Sequence, residues 1–180
     1  MKHLYFIRHG ESEFNKARTW AGSSDTPLTD KGKEQARTAG YLAQQKGLKF
    51  DLIISSNLSR AKQTAEIFGK EIEYDAKKII IRPESIERDF GELEGNKRLV
   101  AKTKYAIDES AIDSYKDVEK LKDLQKRANE FYEYLCSLDA QTILVVGHGA
   151  FGRALHRRIK NQSLKKRGSP FKNAELTKFI

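Results

Sequence analysis

Apolar and polar positions follow each other along this chain in blocks whose spacing predicts alternating strands and helices. Short apolar runs rich in β-branched residues predict strands at 3–8, 51–55, 78–82 and 142–147, with an edge strand at 175–180. Apolar residues at steps of three and four predict helices at 29–46, 60–72, 117–138 and 150–159. Polar stretches with glycines predict loops at 11–28 and 84–96, and we interpret residues 97–116 as a helical insertion over the sheet edge.

Strands that alternate with helices are typical of α/β proteins. The predicted strands are nearly continuous apolar runs, so both of their faces need cover from other elements. We therefore expect a three-layer sandwich in which helices cover both faces of a mostly parallel central sheet. The chain has 180 residues, enough for one domain with a buried core, and we expect residues 1–180 to form that single domain.

The composition narrows the class of protein. Hydrophobic residues make up 38% of the chain and charged residues 33%, which excludes a disordered chain. Cys136 is the one cysteine, so no internal disulfide can form. No apolar run is long enough for a secretory signal or a membrane span, and we expect a cytoplasmic protein that has no membrane partner.

The net charge of +9 favours negatively charged partners. Three explanations of this charge remain open: a surface that binds polyanions, an enzyme that acts on small anionic molecules, or an organism whose proteins are basic in general. The basic segment 156–167 has the same ambiguity: a solvated helix end is the first interpretation, and a grip on an anionic substrate is the second. Nucleic acid is the least favoured partner because no aromatic residues for base stacking are interleaved with these charges.

The chemistry-bearing residues stand at the ends of predicted strands. Arg8 and His9 end the first strand, Arg60 follows the second, and His148 ends the fourth. Ligands of open α/β sheets bind beyond the carboxyl ends of the strands, so we expect these four side chains to meet. Guanidinium groups match phosphate oxygens in pairs, and the helix N-termini beside Arg60 and His148 add backbone N–H donors. The sequence therefore predicts a pocket for a phosphate dianion.

A histidine in such a pocket can also react. Neutral imidazole is a nucleophile near pH 7, and a covalent intermediate splits one hard displacement into two easier ones. A second, protonated histidine would stabilise charge on the transferred group. The residues alone do not say which histidine reacts. Gly10 and Gly149 follow the two histidines directly, and we expect them to let a ligand approach.

Three motifs carry a resemblance to a known family. Residues 8–12 read RHGES with Asn15 shortly after, residues 55–65 read SSNLSRAKQTA, and residues 147–149 read GHG. In this order they resemble the histidine phosphatase superfamily, also called the phosphoglycerate mutase-like family, over residues 3–155, with a weaker echo in NAEL at 173–176. The resemblance implies that His9 is the phosphorylated nucleophile, that Arg8, Arg60 and His148 form the phosphate pocket, and that Asn15 donates to the substrate.

The resemblance also suggests an acid–base residue. Residues 87–95, ERDFGELEG, resemble the segment that supplies the family's carboxylate, which implies Glu87. Ester cleavage needs a proton for the departing alkoxide, and the second step needs a base for water. The competing interpretation is a solvated loop carboxylate. We expect Glu94 and Gly95 to serve the turn, and Gly22 and Gly149 to lie beside the substrate.

Within the family, phosphatase and mutase are the main alternatives. Glu87 followed by Arg88 resembles the mutases, and Lys97 resembles a further mutase contact at a spacing one residue short. Phe14, Ala21 and Ala150 depart from the mutase pattern. From the resemblance we also expect this shorter chain to lack most of the long insertion and C-terminal tail that cover a mutase site. A covered site keeps water from the phosphorylated intermediate, so we favour the phosphatase. The smallest phosphohistidine phosphatases of the family lack an equivalent of Glu87, which favours an ester substrate.

The sequence thus predicts a phosphatase for a small phosphorylated metabolite, with a mutase second and a catalytically silent phosphate- or polyanion-binding module third. We expect no metal and no cofactor, because no cluster of metal ligands and no G-x-x-x-x-G-K loop is present, and strand alternation turns His3 away from Arg8. The oligomeric state, monomer or dimer, stays open.

Overall fold

A computed structural model describes residues 1–97, 108–164 and 171–180. Its strands are β1 (His3–Arg8), β2 (Leu52–Ser55), β3 (Ile80–Ile81), β4 (Thr142–Gly147) and β5 (Leu176–Lys178). Its α-helices are α1 (Glu13–Lys16), α2 (Asp30–Gln45), α3 (Ser59–Glu71), α4 (Leu121–Ser137) and α5 (Gly149–Ile159). Single 3-10 turns lie at Ala76–Lys78, Pro83–Ser85, Gly91–Leu93 and Glu109–Ile112.

The strands form one sheet in the order β3-β2-β4-β1-β5. The first four strands are parallel to their neighbours, and β5 pairs with β1 in the antiparallel direction. Arg8 is the register partner of Gly147, and Ser55 is the partner of Val146. Three strands therefore end at the same edge of the sheet, and the residues that follow them are brought together there.

Helices cover both faces of the sheet, which confirms the expected α/β sandwich. On one face α4 and α5 pack through Phe131, Leu135 and Phe151. On the other face α2 and α3 pack through Ala43, Ala65 and Phe68. Neighbouring strand residues such as Val145 and Val146 face opposite helix layers, so both are fully buried. This explains the continuous apolar runs, and burying each such side chain contributes about 1.5–3 kcal/mol.

Several expected elements differ in extent. The predicted strand at 78–82 is reduced to Ile80–Ile81, since a 3-10 turn precedes it and Pro83, which lacks an N–H, begins the next turn. The edge strand at 175–180 covers only Leu176–Lys178. The expected loop at 11–28 contains α1, whose first turn is closed by reciprocal hydrogen bonds between Ser12 and Asn15.

The expected helical insertion at 97–116 is corrected in its described part. Residues 98–107 lie outside the described residues, and residues 108–116 contain only the 3-10 turn Glu109–Ile112. Glu109 pairs with Arg153 and Arg157 of α5, so this part packs against a helix and not over the sheet edge. Residues 165–167 of the basic segment also lie outside the description. None of the helices in the described ranges is long and apolar enough to cross a membrane.

Candidate active site

His9 directly follows β1 and is buried. Its backbone N–H donates to the carbonyl of Gly147 at 2.9 Å, which continues the pairing of β1 with β4. Its ring atom Nδ1 lies 2.7 Å from the carbonyl oxygen of Gly10. Because a carbonyl oxygen only accepts, Nδ1 carries the hydrogen and Nε2 carries the lone pair. The nucleophilic nitrogen of this imidazole is therefore Nε2.

His148 follows β4 at the N-terminus of α5 and is fully buried. The centroid of its ring is 5.2 Å from that of His9, and its Nε2 lies 2.8 Å from the hydroxyl oxygen of Ser56. Burial, followed by the positive charge of Arg60 and by His9, holds the pKa of His148 well below its usual range. The imidazole is therefore neutral near pH 7. Its Nδ1 is buried, and no described residue offers it a hydrogen-bond partner.

Arg60 lies in the first turn of α3 and is also fully buried. Its guanidinium donates to the carbonyl oxygens of Gly22 at 2.7 Å and Ser24 at 2.8 Å. Glu94 holds the same loop by accepting the N–H groups of Ser23 and Ser24, both at 2.8 Å. Burial opposes ionisation of Glu94, but hydrogen bonds led by that from Ser24 outweigh it and lower its pKa. The expected turn role of Glu94 agrees with these contacts.

Gly22 has a packing role in this loop. A Cβ atom there would lie 2.0 Å from Oε1 of Glu94 and 2.5 Å from the carbonyl oxygen of Arg88. Gly22 therefore packs between Glu94 and the backbone of Arg88, and its carbonyl oxygen accepts from Arg60. Gly10 is similar, because a Cβ there would lie 2.2 Å from the carbonyl oxygen of Gly32 in α2. The absent side chain of Gly10 makes room for a helix, which corrects the expectation that it makes room for a ligand.

Glu87 and Arg8 flank the first residue of α5. Glu87 is buried, and its carboxylate accepts the N–H groups of Ala150 at 3.1 Å and Phe151 at 3.0 Å. A carboxylate at a helix N-terminus is stabilised by these donors and by the helix dipole. Measured from the position that a Cβ of Gly149 would take, Oε2 of Glu87 and Nε of Arg8 are each 3.7 Å away. These contacts overturn the alternative of a solvated loop carboxylate.

Asn15 and Lys97 lie at the rim of this arrangement. The side chain of Asn15 caps α1, and its Oδ1 accepts from Nδ2 of Asn173 at 3.1 Å. The same Nδ2 donates to the carbonyl oxygen of His9 at 2.9 Å. Lys97 is exposed and donates to the carbonyl oxygen of Ala17 at 2.8 Å. Asn15 is therefore connected through Asn173 to the backbone of His9, whereas Lys97 contacts the residue that follows α1.

The side chain of Arg88 contacts residues 109–119 of the chain. Its guanidinium is fully buried and donates to the carbonyl oxygens of Glu109 at 2.7 Å and Glu119 at 2.8 Å. It also pairs with the carboxylate of Asp113. We call residues 108–120 the clamp segment. The expected substrate contact of Arg88 is corrected, because its donors hold the clamp segment beside Glu87.

Two residues that the sequence analysis did not single out contact the pair of histidines. The hydroxyl of Ser56 is hydrogen-bonded to Nε2 of His148, and Nδ2 of Asn173 donates a hydrogen bond to the carbonyl oxygen of His9. Ser56 lies inside the SSNLSR motif directly after β2, and Asn173 begins the NAEL echo, so the motifs already pointed to both positions. No group of three or more metal-ligating side chains occurs in the described part of the chain.

These features place two histidines, arginines and a carboxylate together at the carboxyl edge of an α/β sheet. The chain belongs to the histidine phosphatase superfamily (branch 1), whose family model matches residues 4–180. Among its relatives, the 2,3-bisphosphoglycerate-dependent phosphoglycerate mutase of Bartonella henselae is 34% identical over 84% of this chain and 78% of the mutase. The mutase of the same description from Xanthobacter autotrophicus is 36% identical, with the same coverage.

Solved structures with the same fold include several phosphatases. A putative alpha-ribazole-5'-P phosphatase from Escherichia coli matches with a TM-score of 0.78 and 26% identity, over 94% of this chain and 86% of that chain. A mycobacterial glucosyl-3-phosphoglycerate phosphatase complexed with VO3 has a TM-score of 0.86 over 99% of this chain and 92% of its own, at 21% identity. The superfamily thus includes both mutases and phosphatases, and the expected family and fold are confirmed.

Proposed function

We propose that this chain is a phosphatase that hydrolyses small phosphate monoesters through a phosphohistidine on His9. The observation that carries the proposal is the convergence of His9, His148, Arg60 and Glu87, all buried, at one edge of the sheet. Buried charges and dipoles act on a phosphoryl group more strongly than groups in water do. Each of these residues also has a fixed hydrogen-bond partner, so the site is organised before a substrate arrives.

In the first step, Nε2 of His9 attacks phosphorus. Glu87 enters this step as a protonated carboxyl group, with a proton taken up from solvent. The Nε2–P bond forms, the ester P–O bond breaks, and the carboxyl group of Glu87 gives its proton to the departing alkoxide. Arg8 and Arg60 hold the equatorial oxygens, and Nδ1 of His148 donates to one of them. The hydrogen on Nδ1 of His9 stays bonded to the carbonyl of Gly10, which supports the positive charge that the ring acquires.

In the second step, water is the acceptor. The carboxylate of Glu87 takes a proton from the water, the P–O bond forms, the P–Nε2 bond breaks and phosphate leaves. The pocket residues and Glu87 are then in their starting states. This cycle uses only groups of the chain and needs no cofactor.

A phosphoglycerate mutase is the second candidate, and the relatives at 34% and 36% identity favour it. Against it stands Arg88, one of the two residues that suggested a mutase, whose guanidinium is buried against the clamp segment. Ala150 and Phe14 also depart from the mutase pattern. A catalytically silent binding module is the third candidate, and the retention of both histidines with Glu87 weighs against it. We accordingly favour hydrolysis over transfer.

The partners follow from this proposal. A small phosphorylated metabolite is the expected substrate, in a cytoplasmic setting and with no membrane or nucleic acid partner. Residues 1–180 would act as one domain, as a monomer or a dimer. Asn15, Gly149 and Lys97 would lie at the substrate side of the pocket.

The proposal is tested by the hydrolysis of p-nitrophenyl phosphate in EDTA, followed by a screen of phosphometabolites with phosphate release as the readout. The screen includes 3-phosphoglycerate with 2,3-bisphosphoglycerate, so that isomerisation without phosphate release identifies a mutase. We expect wild type to release phosphate and His9→Ala to lose about 10³-fold or more in kcat. Equal activity of the two proteins, or no activity of wild type on any ester, contradicts the proposal.

A further inference from the structure

Ser56 has no role in the reaction steps above, yet its hydroxyl contacts the second histidine. It lies directly after β2, fully buried, with Oγ 2.8 Å from Nε2 of His148. The only other hydrogen bond of this oxygen within the described residues is accepted from the N–H of Leu58 at 3.3 Å. In this contact either atom can be the donor, and which one donates depends on the tautomer of His148.

The two neutral tautomers of His148 differ in whether the hydroxyl hydrogen of Ser56 has an acceptor. If Nε2 carries the hydrogen, it donates to Ser56, and the hydroxyl hydrogen of Ser56 is left without an acceptor among the described residues. If Nδ1 carries the hydrogen, Ser56 donates to Nε2 and both atoms of that contact are satisfied. Nδ1 has no partner among the described residues in either arrangement, so the two differ by the unsatisfied hydroxyl of Ser56. A buried donor that is left unsatisfied costs about 1–3 kcal/mol, and the second arrangement is therefore preferred.

The preferred arrangement leaves an N–H on Nδ1 of His148, which is buried with no partner in the described residues. A donor in that position needs an acceptor, and a phosphoryl oxygen is one. His148 can then donate to the transferred group while it is neutral, and its pKa, held down by burial, Arg60, His9, Arg8 and Arg127, keeps it neutral at pH 7.

We propose that Ser56 is a positioning residue that fixes His148 in the Nδ1–H tautomer, so that the neutral imidazole presents a hydrogen-bond donor to the phosphoryl group. This inference rests on the proposed phosphoryl pocket. When His148 does become protonated, both of its nitrogens carry hydrogens, and the hydroxyl of Ser56 can rotate to accept from Nε2. The contribution of Ser56 is therefore confined to the neutral state.

The tautomer is measured first, in the wild-type protein, from the ring ¹⁵N and ¹H correlations of His148 at pH 7.5, assigned by comparison with His148→Gln. We expect the hydrogen on Nδ1. A hydrogen on Nε2 overturns the inference without any variant of Ser56. The measurement needs no turnover, so it stands whether or not the proposed hydrolysis is found.

Orthovanadate binding to Ser56→Ala is measured next, from pH 5.5 to 8.5. Ser55→Ala is the matched control, since Ser55 is equally buried and its hydroxyl donates to the carbonyl of Ser56 at 3.0 Å. Near pH 8 we expect Ser56→Ala to bind about 10-fold or more weakly than wild type. The deficit should shrink as the pH falls, because the bound anion stabilises the protonated ring and His148 of the complex then gains its second hydrogen. The charged groups that act on this histidine are common to both variants, so the comparison between variants isolates Ser56. They are Arg60, His9, Arg8 and Arg127, and Glu87 lies beside them at the N-terminus of α5.

Three results overturn the inference: a deficit that is the same at every pH, no deficit at pH 8, or an equal deficit in Ser55→Ala. Wild type that binds vanadate in the expected tautomer but hydrolyses no ester contradicts the proposed phosphatase and leaves the role of Ser56 intact. Should Ser56→Ala fail to give a cooperative unfolding transition, Ser56→Thr replaces it. Ser56→Thr keeps a hydroxyl, so we expect it to retain the Nδ1–H tautomer, and loss of that tautomer counts against the inference.

Discussion

Two regions meet at the candidate active site, and different interactions hold them in place. Arg8, His9 and His148 are set by the parallel register of β1 and β4, in which Arg8 is paired with Gly147. The clamp segment lacks regular secondary structure beyond one 3-10 turn. Ile112 and Val118 anchor it in the apolar core, and buried ionic side-chain contacts hold it beside Glu87. Arg88 donates to it from the position next to Glu87, and Glu109 pairs with Arg153.

Because the two regions are held differently, we expect the first to govern the reaction and the second to govern mainly stability. Strand pairing fixes the positions of the groups that we propose to react or to bind phosphate, since a change of register would move whole strands. Ionic contacts hold the clamp segment beside Glu87 and form only when the buried charges are matched. A substitution in the first region should therefore damage the reaction, and one in the second should damage mainly stability.

The largest effect is expected from Glu87→Gln, which keeps the shape of the side chain but removes the acid–base group. We expect kcat for alkyl phosphates to fall by about 10²–10⁴-fold. Esters of good leaving groups, such as p-nitrophenyl phosphate, need less protonation and should lose less. The measurement is kcat across a series of leaving groups, with the unfolding transition as the control. An equal loss for all leaving groups would argue against Glu87 as the proton donor.

In contrast to Glu87→Gln, Glu109→Gln should affect stability and not the reaction. It removes the ion pairs that hold the clamp segment and leaves His9, His148 and Glu87 in place. Burial opposes ionisation of Glu109, but Arg153 and Arg157 outweigh it and lower its pKa. Because two buried guanidinium groups then lack a negatively charged partner, we expect the free energy of unfolding to fall by about 3–5 kcal/mol. Urea unfolding measures this loss.

The matched control for Glu109→Gln is Glu133→Gln, since Glu133 pairs with Arg158 at the exposed surface of α4. A surface pair contributes about 0–1 kcal/mol, so this control should be nearly neutral. If Glu109→Gln costs no more than Glu133→Gln, or lowers kcat as much as Glu87→Gln does, the separation of the two regions is wrong.

Gly22→Ala tests the loop that surrounds Arg60. The added methyl group would overlap Oε1 of Glu94 and the backbone of Arg88, so the loop must shift. We expect destabilisation of about 1–3 kcal/mol together with weaker phosphate binding, because the carbonyl of Gly22 positions Arg60. Thermal unfolding with and without phosphate measures both quantities. Unchanged phosphate binding would separate this loop from the pocket.

The smallest effect is a dependence of stability on pH that comes from His148. Its pKa is lowered in the folded state by burial, Arg60 and His9, whereas the unfolded chain has the ordinary value of about 6.5. Below that pH the unfolded chain binds a proton that the folded protein does not, so stability falls as the pH falls. The slope is at most about 1.4 kcal/mol per pH unit for one group.

Urea unfolding between pH 5 and 8 measures this slope in wild type and in His148→Asn. The variant should lose it, and saturating phosphate should reduce it in wild type by favouring the protonated ring. His156→Asn is the control outside the pocket, since the pKa of His156 is also lowered, first by burial and then by Lys160. An unchanged slope in His148→Asn would mean that this histidine is not held neutral.

The strand-end residues could be predicted because the motifs follow β1, β2 and β4, which are neighbouring parallel strands of the sheet. His9 and His148 needed only the alternation of strands and helices to be brought to one sheet edge. The partners of buried side chains were not predictable in the same way. Arg88 occupies a motif position, but its direction depends on Glu109 and Asp113, which lie in a stretch without apolar periodicity. Gly10 likewise makes room for α2, a neighbour that is distant in sequence.

The central claim is that the phosphoryl group passes through His9. Its most direct test is rapid alkaline quenching of the wild-type enzyme during turnover of a radiolabelled phosphate ester, followed by peptide mapping. We predict an acid-labile, alkali-stable label on the peptide that contains His9, which forms and decays at rates compatible with kcat and is absent in His9→Ala. Steady turnover with no such label, or a label on another residue, would contradict the account.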